Sequence, residues 1–121
     1  MRESGEMYLE TILVLGKKKN TVRAIDIVED MGYSKPSVSR ALAKLRDSML
    51  IVVSPEGYIA LTENGRQIAE KIYERHIVIS GMLIALGVDE KTALEDACKI
   101  EHDLSDASFE AIKRHSTAHE H

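Results

Sequence analysis

The sequence predicts a mainly α-helical chain with one small β-hairpin: an N-terminal winged helix-turn-helix followed by a C-terminal helical half. Three observations predict it. Two short amphipathic stretches, residues 24–31 and the segment that follows Ser34, are separated only by a glycine and a turn, the order of a helix-turn-helix. Two β-prone runs come next, split by Ser54-Pro55-Glu56-Gly57, as a hairpin wing requires. From Thr62 onward, caps and helical spacing mark three more helices in succession.

Residues 6–15, EMYLETILVL, place Met7, Leu9, Ile12, Leu13 and Leu15 at helical spacing, and Gly16 with the basic loop 17–20 is expected to end that helix. Residues 24–31, AIDIVEDM, carry an apolar helical stripe that Gly32 ends. In YSKPSVSRALAKLRDSMLI, Ser34 is a good N-cap and Pro36 fits a first helical turn. Val38, Leu42 and Leu45 mark its buried face, leaving Ser37, Ser39, Arg40 and Lys44 for other faces. Residues 51–53 and 58–61 read as strands, and the turn between them, with Pro second and Gly fourth, suits type I. Thr62 caps a long helix over 63–86 closed by Gly87, Asp89 caps a helix over 90–102, and Ser105 caps a last short one through Lys113. The tail 115–121, HSTAHEH, has little apolar content and is expected to fray as a disordered tail rather than to form a site. The expected division is therefore 1–62, 63–114 and the tail.

Composition narrows the function classes. A chain of 121 residues with 44% hydrophobic and 30% charged residues reads as soluble and globular. One cysteine allows no internal disulfide, and a lone thiol beside Glu and His fits a reducing cytoplasm. The opening MRESGEMYLE has no signal-peptide pattern. The longest uncharged run, residues 77–88, has twelve residues where a spanning helix needs about 20, so no membrane partner is expected and the run reads as core or a subunit interface. The net charge of −4 argues against a general nucleic-acid coat, but it is unevenly spread. Residues 1–66 hold ten Lys/Arg against nine Asp/Glu, and residues 67–121 hold six against eleven. Local positive surface, which phosphate contacts require, sits at residues 17–19 and from Lys35 to Arg46.

The second helix of the pair opens with small polar residues that let its N-terminus approach a groove. In the helix-turn-helix mode those residues meet base edges. Ser34, Lys35, Pro36, Ser37, Ser39, Arg40 and Lys44 form the candidate DNA-contacting set, with Arg suited to guanine and Ser and Lys to bases or phosphates. A solvated helix face would look the same. One Phe, no Trp and four Tyr are thin for stacking on single strands or RNA, so the partner expected is double-stranded DNA.

The stretch DACKIEHDL carries a second chemistry. If helical, Cys98, Glu101 and His102 are spaced i, i+3, i+4 on one face, with neighbouring Cβ atoms about 5–6 Å apart. Thiolate, carboxylate and imidazole are common ligands of first-row transition metals. Taken singly, each has a plain reading: Cys98 a small core residue, Glu101 a solvated charge, His102 a satisfied interior histidine. Met7 and Glu10 share a face of the first helix, and His76 lies on the long one. If those helices pack together, six donors converge. A thioether and a thiolate favour Fe(II), Co(II), Ni(II) or Zn(II) over Mn(II), which prefers oxygen. Fe(II) is the metal expected, with Mn(II) the alternative.

EMYLETI, YSKPSVSRALAKL, LTENGR, ERH and EDACKIEHDLSD occur together in one known group. Over residues 5 to 114 the chain resembles the diphtheria toxin repressor family of metal-dependent transcription repressors, which includes manganese-transport repressors. The resemblance implies a winged-helix domain, a helical dimerisation domain and operator binding switched on by divalent metal in a homodimer. By position, Met7, Cys98, Glu101 and His102 match ligands of the iron-responsive members, and Glu10 and His76 match ligands of the manganese-responsive ones. The manganese-responsive members have carboxylates where this chain has Met7 and Cys98. The ancillary site of the iron-responsive members is incomplete here, since Ser80 and Leu94 stand where its acid and second histidine would be. The chain also ends where larger members continue into an SH3-like domain.

Two rival functions stand beside this. A Cys/Glu/His metal centre can activate water, but no acid–base pair or glycine-rich cradle supports an enzyme, and no organic cofactor is expected. A metal-independent winged-helix regulator would make CKIEH an ordinary amphipathic face.

Overall fold

The structure, a computed structural model, describes residues 3–119. These form α1 (Glu3–Lys18), α2 (Ala24–Met31), α3 (Lys35–Asp47), β1 (Ile51–Val53), β2 (Ile59–Leu61), α4 (Glu63–Ala85), α5 (Glu90–Ile100) and α6 (Asp106–His119). They pack as two compact units divided between Glu70 and Lys71, within α4. The mainly helical winged helix-turn-helix architecture with a helical C-terminal half is the one expected.

In the first unit, α1 does not stop at Gly16 but runs on to Lys18. An interior glycine costs about 1 kcal/mol of helix propensity. Burial of Leu9, Ile12, Leu13 and Leu15 outweighs that, and Lys17 and Lys18 sit in the last turn, where the helix dipole favours cations. Gly32, at φ 73°, closes α2 as its N–H donates to the Val28 carbonyl at 2.9 Å. Ser34 caps α3 by accepting from the Ser37 N–H at 3.2 Å, and Val38, Leu42 and Leu45 are buried.

The strands pair antiparallel, Ile51 opposite Leu61 and Val53 opposite Ile59, so β2 begins one residue later than expected. The Gly57 N–H closes the turn on the Ser54 carbonyl at 2.9 Å. The Ile59 N–H donates to the Val22 carbonyl at 2.8 Å, tying the wing to the α1–α2 connection. Leu9, Ile27, Val38 and Ile51 form the fully buried centre of this unit.

The second unit comprises the rest of α4 with α5 and α6. Its apolar core is small: Ile72, Ile79, Ala93, Ala97 and Phe109, accompanied by buried Arg75, Ser80 and Glu101. Most of the uncharged run 77–88 is not monomer core. Ile79 is buried, but Ile77, Ile84 and Leu86 are 51%, 45% and 74% exposed. Among the described residues, no helix is long and apolar enough to cross a membrane. α5 ends at Ile100 rather than His102, so Glu101 and His102 belong to a turn. α6 continues past Lys113 to His119, into the stretch expected to fray; residues 120 and 121 lie outside the described residues.

Candidate metal centre

α4 supplies His76, α5 supplies Cys98, and the turn after α5 supplies Glu101 and His102. One ligand atom from each of His76, Cys98 and Glu101 lies within 4.8 Å of the other two. Glu101 Oε2 is 2.9 Å from His76 Nδ1, and Oε1 is 3.4 Å from His102 Nε2, so two imidazoles flank one carboxylate. Cys98 Sγ is 3.8 Å from the same His76 Nδ1. The helix end does not break the expected i, i+3 pairing of Cys98 with Glu101, because Glu101 keeps helical dihedrals and its N–H still bonds the Ala97 carbonyl.

Burial corrects two of the plain readings. Glu101 is 1% exposed, so it is not a solvated charge, whereas Cys98 is exposed and is not a core residue. Ala93 and Ala97 take the buried face of α5 instead. Among the described residues, no Lys or Arg side chain pairs with the Glu101 carboxylate. A buried anion without a cation is costly. A bound cation would relieve it, and thiol, imidazole and carboxylate together suit a divalent transition metal.

Arg75 was missed in the sequence. Its guanidinium is buried, with Nη1 donating to the Glu101 and Leu104 carbonyls at 3.0 and 2.6 Å and Nη2 donating to Asp106 Oδ1 at 2.6 Å. It also stacks on Phe109, 5.3 Å from the ring centre. The available signal was a charged residue at helical spacing between Ile72 and Ile79, inside the apolar stripe of α4. Asp106 is held below the usual carboxylate range chiefly by its hydrogen bond to Lys71, with Arg75 adding to it.

Met7 and Glu10 belong to the first unit, three residues apart on one face of α1 and both half-buried. The DNA candidates lie on the same unit. Ser34, Lys35, Pro36, Ser39, Arg40 and Lys44 are exposed. Ser37 is half-buried, its Oγ accepting from Ser34 Oγ at 2.9 Å, with Arg40 Nη2 3.4 Å away. The wing has no Lys or Arg of its own; one cation beside it is Arg23, 4.5 Å above the Tyr58 ring.

Two family descriptions cover nearly the whole chain. Residues 1–59 match the iron dependent repressor N-terminal DNA binding domain, and residues 62–119 match the iron dependent repressor metal binding and dimerisation domain. The chain belongs to the iron-dependent repressor family. It is 36% identical over 115 residues to an uncharacterised HTH-type transcriptional regulator of Methanocaldococcus jannaschii, covering 93% of this chain and 92% of that one. It is 30% identical over 118 residues to the transcriptional regulator MntR of Escherichia coli O6:H1, covering 98% of this chain and 76% of MntR. The structure of the manganese regulator SloR superposes with a TM-score of 0.81 at 28% identity, over 91% of this chain and 52% of that one. The chain thus spans about half the length of SloR. Its family is one of metal-dependent transcriptional repressors, not of enzymes.

Proposed function

We propose that this repressor binds duplex operator DNA as a homodimer only when a divalent cation is held by donors drawn from Met7, Glu10, His76, Cys98, Glu101 and His102, and that it thereby regulates metal homeostasis. Fe(II) is the favoured signal and Mn(II) the alternative. The observation that carries the reading is the buried Glu101 carboxylate flanked by His76 and His102, with the Cys98 thiol beside it. The soft donors Cys98 and Met7 suit Fe(II) better than Mn(II), while MntR and SloR are named for manganese.

A bound cation would supply positive charge beside Glu101 and a Cys98 thiolate, which would otherwise repel one another. Met7 and Glu10 stand in the first unit and the other four donors in the second, so ligation by both sets would fix one unit against the other. In a two-fold dimer that fixes the separation of the two α3 helices. Operator half-sites require about 34 Å, one turn of B-DNA, or a multiple of it. The exposed Ile77, Ile84 and Leu86 of the second unit support self-association. If metal tightens operator binding, operator must tighten metal binding by the same factor.

Operator gel shifts with anaerobic Fe(II), Mn(II), Co(II) and Zn(II) test the proposal. His102→Ala should abolish metal-dependent binding while leaving a folded dimer. Metal dependence unchanged in that variant, or operator binding by the metal-free parent chain, would overturn it.

A further inference from the structure

Among the described residues, Arg75 hydrogen-bonds two main-chain carbonyls and Asp106, and none of the candidate donor atoms. It is 4% exposed, and its fork binds two carbonyls, of Glu101 and Leu104, in the turn that carries Glu101 and His102. These are carbonyls at and beyond the C-terminal end of α5, which a helix end leaves without intrahelical partners. The same guanidinium reaches across that turn to Asp106, the first residue of α6, which also pairs with Lys71 at 2.9 Å. It therefore spans the whole α5–α6 corner from one anchor on α4, one residue before His76. A planar fork satisfies several acceptors at once, which the point charge of a lysine does not. The main chain of Glu101 is fixed to α4 by Arg75, while its side chain meets α4 through His76 Nδ1 at 2.9 Å.

We propose that Arg75 is a positioning residue of the metal centre: it holds the Glu101–His102 turn against α4, so that the carboxylate and both imidazoles are in place before metal arrives. This rests on the metal reading above. Without the fork, the turn must be ordered during binding, and that cost is taken from metal affinity. Partners that orient metal ligands typically carry 10–100-fold of affinity.

The test uses the full chain and Co(II) as the probe, titrated anaerobically and followed by its visible and thiolate charge-transfer bands. Arg75→Met should weaken Co(II) binding about 10–100-fold and alter the bands, and Arg75→Lys should recover only part of the loss. In the metal-free chain, amide exchange at residues 101–105 should rise in Arg75→Met well above the change elsewhere. A residue that only stabilises the fold would lower the denaturation midpoint yet leave the Co(II) affinity and spectrum of the folded protein as in the parent, and that result overturns the proposal. If Arg75→Met does not fold, Asp106→Ala removes the exposed acceptor of Arg75 Nη2; it should weaken Co(II) several-fold, and parental affinity there is equally fatal. Failure of the unaltered chain to take up Co(II) would instead sink the metal reading, and this inference with it.

Discussion

Gly65→Ala opposes two rules of opposite sign. Gly65 sits in the first turn of α4, where helix propensity alone makes alanine better by about 1 kcal/mol. The structure says otherwise. A Cβ at this position would stand 1.9 Å from the Leu50 carbonyl oxygen and 2.9 Å from its carbon, against the 3.4 Å at which ordinary contact begins. Neither partner can yield cheaply, because both are backbone. The Leu50 oxygen also accepts the Thr62 N–H at 3.0 Å, Thr62 Oγ1 donates to the Met49 carbonyl at 2.8 Å, and the Gly65 N–H donates to Thr62 Oγ1 at 3.1 Å. Moving α4 away strains this cap. Overpacking costs about 1–3 kcal/mol, and each of these hydrogen bonds contributes about 1 kcal/mol. With two of these bonds lost and the propensity gain subtracted, the net loss is about 2–4 kcal/mol. With a urea slope near 2 kcal/mol/M, the midpoint should fall by about 1–2 M. Urea denaturation of the metal-free chain, followed by far-ultraviolet circular dichroism, measures it. A midpoint unchanged or raised would refute the close approach of α4 to Leu50.

Arg40→Ala should weaken operator binding about 5- to 150-fold, the range of 1–3 kcal/mol for a bidentate base contact, with Co(II) affinity unchanged; calorimetry showing lost metal binding would misplace α3 as the reading element. Cys98→Glu exchanges a soft donor for a hard one, so the ratio of Mn(II) to Co(II) affinity should rise at least tenfold, about 1.4 kcal/mol; an unchanged ratio in competition titrations would remove Cys98 from the ligand set. Asp106, Asp26 and Asp89 all have carboxyls held below the usual range, Asp106 chiefly by Lys71, Asp26 chiefly by Lys19 and Asp89 chiefly by the Thr92 N–H. A lowered folded-state value means their contribution is complete above the unfolded range, near pH 4, and fades as pH falls through the folded values. Urea midpoints should therefore show no loss from these groups between about pH 7 and 5 and a decline below about pH 4, and Asp106→Asn should flatten part of that decline.

What the sequence made legible was whatever is decided within a few residues. The ends of α2 and α3 follow from Gly32, Ser34 and the i, i+4 spacing of Val38 and Leu42, and the structure reproduces them. The Thr62 and Asp89 caps are likewise local, and both accept the backbone N–H expected of them. Gly16 misled because its cost is local, while the burial of Leu15 that offsets it is tertiary. The early end of α5 was hidden for the same reason, since the side chain that claims the Glu101 carbonyl lies 26 residues back, on α4. Spacing alone placed Cys98, Glu101 and His102 on one helical face, but no local rule states that His76 meets the Glu101 carboxylate from another helix, or that Cys98 faces solvent while Glu101 does not.

That difference in exposure bears on how such a centre can respond to metal. A fully buried set of three donors would hold its ion but admit it slowly, and a fully exposed set would lose the benefit of a low dielectric. Here the carboxyl group of Glu101 sits inside, where no Lys or Arg pairs with it among the described residues, and Cys98 is exposed. The buried carboxylate meets two imidazoles but no Lys or Arg among the described residues, so on the metal reading an arriving cation would act chiefly there. The exposed thiol is the group an incoming ion can meet first. Replacing Glu101 by glutamine would therefore remove the drive for binding, and replacing Cys98 would alter which ion is chosen. On the metal reading proposed above, the two donors that approach His76 Nδ1 would divide strength and selectivity between them.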